Sequence, residues 1–513
     1  MTSIKNIKSV VIVGGGTAGW ISACHLAKKL NARTPKIQVM LVESPNIPTI
    51  GVGEGTVPML RETLKYFGIR EDEFIRCCDV TFKQSVKFID WNKPNSGEYY
   101  HHLFDYPYFK DVTSTWLNKS LSDRGRYADL VSVQGHLIDA GFGPKAMTQP
   151  QYRGAMHYAY HLDAAKFTKL LTEFGVEQLG VKHLLAEVID TKIDAQGHIL
   201  ELHTDNAGVL NADLYVDCTG FSAQLIGSAC NVPFVDKSDI LFVDSALVVQ
   251  LPYEDKYTPI PCFTKSTAQE AGWIWDIGLS ERRGVGYVYS SQYSSIEQAE
   301  SVLREYLGKA AEHVSFRHIP MKVGYREKSW QGNCVAIGLS SGFVEPLEAT
   351  GLLMFDATAR MLAECFPANT DVMPLVANRY NQRVSNAWNR VIDFIKLHYV
   401  IAKRMDTPFW VDNKNEISIP DTLKEHLELW RYHIPTAYDF TSTLEFFNLE
   451  NYLYVLYGSD FESKLERKLN DEEERLFTVM TEKLGKQVTL LKSQLLPHRE
   501  LIERIKLYGI QLN

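Results

Sequence analysis

No stretch of this sequence approaches the roughly 18 consecutive apolar residues that a membrane-spanning helix needs, and there is no Gly/Ser-rich linker, low-complexity tract or internal repeat. The eight cysteines contain no C-x-x-C; the closest spacing is the adjacent pair Cys77-Cys78. That excludes the common zinc and disulfide frameworks, suits a reducing compartment and leaves no metal site to expect. Excess positive charge is missing too: the formal net charge is -8, which argues against a general attraction to nucleic acid or acidic lipid. Lys5 and Lys8 ahead of Val10-Val11-Ile12-Val13 superficially resemble a signal peptide, but the apolar run is short and breaks at once into Gly14-Gly15-Gly16. The expectation is a soluble, cytoplasmic protein with no nucleic-acid or membrane partner.

What is present is ordinary globular composition, with 45% hydrophobic and 23% charged residues. A length of 513 residues allows about three average domains or one large two-lobed enzyme. The aromatic share of 11% is somewhat rich, which fits a binder of flat ligands and a large aromatic core equally well.

Ser9 to Val13 is a β-branched run of the kind that forms a buried parallel strand. Thr17 to Lys29 has helical composition and ends in Lys28-Lys29, and Ile37 to Glu43 predicts a second strand. Between them Gly14-Gly15-Gly16-Thr17-Ala18-Gly19 satisfies G-x-G-x-x-G in its required context. Gly14 permits the tight turn, Gly16 lets the backbone approach a pyrophosphate, and Gly19 lets the helix pack on the strand. Thr17 and Ala18 open the helix, whose N–H groups and dipole favour phosphate, and Glu43 can accept from ribose hydroxyls. Two later strand-turns favour FAD over NAD: Val216-Asp217-Cys218-Thr219-Gly220, and Val335-Ala336-Ile337-Gly338 running into Leu339-Ser340-Ser341-Gly342. No second G-x-G-x-x-G follows a strand, so reduction of a bound flavin calls for a separate NAD(P)H-flavin reductase.

Alternation between Val188 and Tyr215 predicts a meander that turns at Asp194-Ala195-Gln196-Gly197. From about Met373 strand character gives way to charged and aromatic helices, the last acidic run, Asn470-Asp471-Glu472-Glu473-Glu474, reading as an N-cap and first turn. The expected fold is α/β: a two-lobed FAD-binding flavoprotein, with a Rossmann-type module plus a mixed sheet and a mostly helical C-terminal substrate region. Its expected division is an FAD-binding module over 1–372, carrying substrate-facing segments at about 80–215 and 235–330, and a helical substrate-binding or lid region over 373–513.

The most specific features are Gly272-Trp273-Ile274-Trp275-Asp276-Ile277-Gly278 and Phe343-Val344-Glu345-Pro346-Leu347-Glu348-Ala349-Thr350-Gly351. Trp273 and Trp275, at i and i+2, share one face of a strand, where they could equally be a packed aromatic stripe. With Gly51-Val52-Gly53-Glu54-Gly55-Thr56-Val57-Pro58, Phe82-Lys83-Gln84-Ser85-Val86-Lys87-Phe88 and Asp406-Thr407-Pro408-Phe409-Trp410, they make most of the chain resemble the flavin-dependent halogenases of the tryptophan-halogenase family. The resemblance is weaker in the last hundred or so residues.

That resemblance implies a reaction. Reduced FAD and O2 convert a halide, bromide or chloride, to hypohalous acid, which travels through a tunnel and halogenates an electron-rich aromatic ring by electrophilic substitution. Lys83 matches the catalytic lysine, able to polarise the acid as an ammonium or to form a haloamine as an amine; Lys87, one helical turn away on a helical reading, is its confusable partner. Glu348 matches the glutamate that orients the oxidant and accepts the ring proton, although Glu345 is as good a candidate on residue type alone. Thr350 and Gly351 match the backbone segment implied to bind halide, and Trp273 and Trp275 the bulky wall between flavin and substrate. His102 and Phe104 match residues that sandwich an indole ring, with a register one residue off making the first His101. Phe446-Phe447-Asn448 and Asn451-Tyr452 match the amino-acid clamp only in part, which favours indole or another indolic compound over free tryptophan. Gly278 stands where the family signature has proline and Ala349 where serine is usual. The rival readings are a flavin-dependent aromatic hydroxylase and a non-catalytic flavin-binding protein. A homodimer is the working assembly, although no residue pattern fixes it.

Overall fold

The computed structural model describes residues 5–31, 37–47, 53–108, 112–120, 122–440, 444–465 and 470–511; Gly51 and Val52 of the first family-like segment lie outside them. Strand β1 (Ser9–Val13) leads into helix α1 (Thr17–Leu30), and β2 (Gln38–Glu43) returns parallel to β1. The predicted βαβ unit is there, with its second strand beginning one residue later than expected. β1 is central in a six-stranded sheet, flanked on one side by β2 and Lys182–Leu185 and on the other by Leu214–Asp217, Cys334–Ala336 and an antiparallel edge, Trp330–Gln331. Val10 to Val13 are all buried, as a strand covered on both faces requires. Lys182–Leu185 joins this nucleotide-type sheet although it falls inside the 80–215 segment expected to face substrate. The meander is also there, as Val188–Ile193, Ile199–Thr204 and Val209–Leu210, with Gly197 at φ +82° in the turn.

A second, seven-stranded mixed sheet runs from Arg317–Pro320 through Ser245–Pro252, Arg282–Tyr289, Gly272–Gly278 and Phe263–Gln269. Two further strands, introduced below, complete it. A small sheet joins the two lobes: β3 (Gly53–Gly55) and β4 (Thr81–Lys83) pair antiparallel to either side of Ala159–Asp163. The chain then passes through Gln84 into β5 (Ser85–Ile89), which lies parallel to Phe263–Gln269 and antiparallel to β6 (Tyr99–Leu103). Gln84 is pinned on both sides: its N–H donates to the Cys262 carbonyl at 2.7 Å and its own carbonyl accepts from the Phe104 N–H at 3.1 Å. The helical-turn relation between Lys83 and Lys87 is therefore overturned. They sit on two successive strands of different sheets, and Lys87 leaves the interior to pair with Asp139 at 2.9 Å.

After Phe343 the named elements are helical, chief among them Thr350–Glu364, Met373–Ile401, Asp421–Trp430, Leu449–Gly458, Asp471–Gln494 and His498–Tyr508. Asn470 caps Asp471–Gln494 in a capping box with Glu473. No helix among the described residues is long and apolar enough to cross a membrane.

Candidate active site

A cleft of about 440 Å³ follows the C-terminal ends of β1 and β2, lined by Gly14 to Ala18, Glu43, Cys218 to Ser222 and Leu339. The three glycines of the motif act differently. A Cβ on Gly14, at φ +112°, would lie 2.2 Å from the Cys218 carbonyl oxygen, and one on Gly19 would lie 1.9 Å from the Gly14 carbonyl oxygen. A Cβ on Gly16 would meet nothing within 4 Å: it would project into the open cleft at the N-terminus of α1, the space a pyrophosphate fits. Gly338, at φ +90°, packs so close to Ala18 that an added Cβ would come within 2.7 Å of the Ala18 Cβ. The Glu43 carboxylate lines the cleft and is held at 2.9 Å by the Nε2 of His183, a partner contributed by the neighbouring strand. Asp217 is fully buried and caps the facing turn, accepting from the N–H groups of Thr219, Leu225 and Ile226. These residues fit FAD: a phosphate cradle, a ribose acceptor and a second turn closing over them.

Glu54, Phe221, Leu339 and Phe355 also line an inner cavity of about 220 Å³, so the two spaces share a wall. Trp273, Trp275, Thr264, Ala349, Gly351 and Lys83 complete its interior. Lys83 is 1% exposed, and its ammonium has no hydrogen-bond partner among the described residues; the nearest aromatic centroid is that of Phe104, at 5.3 Å. Burial pulls its pKa down to about 8 against the opposing charge of Glu348, a penalty of roughly 3 kcal/mol on the charged form. No direct ion pair joins the two.

Glu348, 2% exposed, is clamped from two sides. His102 Nδ1 lies 2.9 and 3.0 Å from its two oxygens, and His398 Nε2, from the helix Met373–Ile401, lies 2.9 Å from Oε1. Burial alone would raise this carboxyl, but the charge and hydrogen bonds of His102 and His398 outweigh it and hold the pKa at about 2. His102 also meets Asn451 Oδ1 through Nε2 at 2.9 Å. Of the two histidines it is His102 that faces Glu348; His101 points the other way, to Ser85 and Asp139. Its ring is nevertheless no open stacking face: it is 1% exposed with both nitrogens engaged, and Phe104 is the more accessible of the expected pair.

Trp273 and Trp275 project from Gly272–Gly278 into the inner cavity with ring centroids 6.3 Å apart. Trp273 donates its Nε1–H to Glu345 at 2.7 Å, and Tyr399 donates to the same oxygen at 2.5 Å. Glu345 is thus a buried brace for the tryptophan wall, its pKa pushed up to about 7 chiefly by burial, while Glu348 is the carboxylate near the lysine. Ala349 turns the chain in a left-handed conformation, φ +56°, and Thr350 begins the next helix. The Thr350 hydroxyl is buried with no partner among the described residues, and the adjoining Ala349, Gly351 and Leu352 line the cavity.

Sequence reasoning missed His183, His398, Tyr399 and the bracing role of Glu345. None of the three outside the 343–351 segment sits in a local motif; His398 lies in the last turn of Met373–Ile401 among apolar residues, where a satisfied core histidine is the ordinary reading.

A dinucleotide cleft sharing a wall with an aromatic-lined cavity that takes in a buried lysine is the arrangement of a two-lobed flavoprotein. The chain belongs to the tryptophan halogenase family, whose pattern it matches over residues 9–474. It is 40% identical over 457 residues to the tryptophan 6-halogenase SttH of Streptomyces toxytricini, covering 84% of this chain and 86% of that one. The crystal structure of a tryptophan halogenase from Shewanella frigidimarina superposes with a TM-score of 0.93 at 40% identity over 99% of each chain. A flavin-dependent halogenase from Xanthomonas campestris superposes with a TM-score of 0.86 at 30% identity, again over 99% of each.

Proposed function

We propose that this enzyme halogenates the ring of an indolic compound, indole or a substituted relative, with Lys83 and Glu348 as the groups that act on the oxidant and the ring. The observation that carries this reading is the buried Lys83 ammonium, without a hydrogen-bond partner among the described residues, lining a cavity separated from the nucleotide cleft by Phe221, Leu339 and Phe355. Bound FAD, reduced by a separate reductase and reoxidised by O2, supplies the oxidising power that turns halide into hypohalous acid.

The protein's own groups do the rest. The first-turn N–H groups at Thr350 and Gly351, with a Thr350 hydroxyl that has no partner among the described residues, suit a halide ion. Trp273 and Trp275 fill the space through which a bulky substrate would otherwise reach the flavin. Lys83 donates to the oxygen of the acid and so polarises its bond to halogen. Glu348, ionised at every ordinary pH and aimed by His102 and His398, accepts the ring proton. Phe104 offers a face for the indole, and the helices of 373–513 contribute the supports His398, Tyr399 and Asn451.

The test is mass spectrometry of reactions containing FAD, a flavin reductase, NADH, O2, bromide or chloride, and either indole or tryptophan, with wild type beside Lys83→Ala. A halogen isotope pattern in wild type that disappears in the variant is the expected result. A product gaining one oxygen atom independently of halide would overturn it in favour of hydroxylation.

A further inference from the structure

We propose that the Thr264 hydroxyl is a second contact for hypohalous acid beside Lys83, held as a hydrogen-bond acceptor by His161; this rests on the halogenase reading above. Thr264 lies in Phe263–Gln269, lines the inner cavity and is 7% exposed. Its Oγ1 is 2.8 Å from Nε2 of His161, which is fully buried in Ala159–Asp163. On the other side of that ring, Nδ1 faces Thr81 Oγ1 at 3.4 Å, and the Thr81 hydroxyl lies 2.6 Å from the Gly278 carbonyl oxygen.

These contacts assign the protons. A hydroxyl has one hydrogen, and that of Thr81 is committed to the Gly278 carbonyl, which is an acceptor only. Thr81 can therefore meet His161 only through a lone pair, so Nδ1 carries the ring hydrogen. Burial, reinforced by the charge of Lys83, holds His161 well below the usual histidine range and thus neutral. Nε2 is then bare and takes the Thr264 hydrogen, which leaves Thr264 with lone pairs alone to offer the cavity. Because the chain ends on a backbone carbonyl, glycine at position 278 serves it as well as proline would.

Donor and acceptor border the same space. An atom at the position of a Gly55 Cβ would lie 3.2 Å from Lys83 Nζ and 3.4 Å from Thr264 Oγ1. Hypohalous acid offers oxygen lone pairs to the ammonium and one O–H to the acceptor. The two contacts fix its oxygen and leave the halogen free to face the ring, whereas a halide ion has no hydrogen for Thr264 and would meet its lone pairs. On transfer the ring carbon bonds the halogen, and the electron pair of the O–X bond stays on oxygen. That oxygen takes a proton from Lys83 and leaves as water; the proton displaced from the ring goes to Glu348, and solvent restores both groups before the next turnover.

The experiment compares wild type, Thr264→Val and Thr264→Ser with FAD, reductase, O2, bromide and indole, measuring ring halogenation and the oxidant that escapes to a small-molecule scavenger. Thr264→Val should lower kcat by about tenfold or more and raise the escaping oxidant, with KM for indole and FAD affinity within about twofold of wild type. Thr264→Ser should restore most of the rate. A Thr264→Val enzyme matching an active wild type in both readouts overturns the inference alone, as does a loss of activity that serine does not rescue. A wild type that halogenates neither indole nor tryptophan overturns the halogenase reading, and this inference with it.

Discussion

Below about pH 8 the buried Lys83 is an ammonium, and above it an amine. If the ammonium is the working form, halogenation falls as pH rises through about 8, while Glu348, ionised down to about pH 2, adds no acid limb near neutrality. A rate that climbs above pH 8 in a pH–rate profile would instead support a haloamine. Glu348→Gln keeps the shape of the side chain and its acceptance from His102 but cannot take up a proton. Its kcat should drop by about 10²-fold or more with FAD binding unchanged, as measured by steady-state kinetics beside flavin titration. Glu345, so close in sequence, should behave differently: Glu345→Gln keeps an acceptor for Trp273 and Tyr399 and should leave kcat within about fivefold.

The glycine turn between β1 and α1 separates folding from binding within one element. Gly19→Ala forces a methyl against the Gly14 carbonyl oxygen, and by steric overpacking should destabilise the protein by about 2 kcal/mol or more. Gly16→Val points into open space, so its stability should change by less than about 0.5 kcal/mol, yet FAD should no longer be retained because the side chain takes the pyrophosphate's place. Denaturant unfolding of apoprotein with flavin titration separates the two, and equal instability in both variants would contradict this division. The junction of β4 and β5 is the other decisive element. By changing sheets at Gln84 the chain sends Lys83 inward and Lys87 out to Asp139, a distinction that a helical spacing of four residues obscures.

At the scale of the whole molecule, the two sheets meet so that the nucleotide cleft and the inner cavity share Glu54, Phe221, Leu339 and Phe355. Trp273 and Trp275 stand on the inner-cavity side of that shared wall, where the proposed function has them keep a ring as large as indole from the cleft. The chain has one strand-bound G-x-G-x-x-G, the place proposed for FAD. NADH added anaerobically to the FAD-loaded enzyme should therefore leave the flavin absorbance intact until a flavin reductase is supplied; rapid bleaching by NADH alone would refute this.

Much of this protein was legible in its sequence by local rules. The β-branched run before Gly14, the turn and the following helix define the nucleotide half because strand and helix periods and glycine's backbone freedom act over a few residues. The helical character after Met373 and the cap at Asn470 were readable for the same reason. The roles proposed for Lys83 and Glu348 rest on resemblance, since a lysine in a short strand and a glutamate before a helix carry no chemistry by spacing alone. Only the tertiary structure decided that His102 and not His101 faces Glu348, that its ring is clamped by Asn451, that His398 completes the carboxylate's support, and that Thr81, His161 and Thr264 form one hydrogen-bonded line. Those contacts join residues from separate sheets and helices. Their geometry is fixed by how the elements pack and by which buried polar groups must find partners there, and local sequence encodes neither.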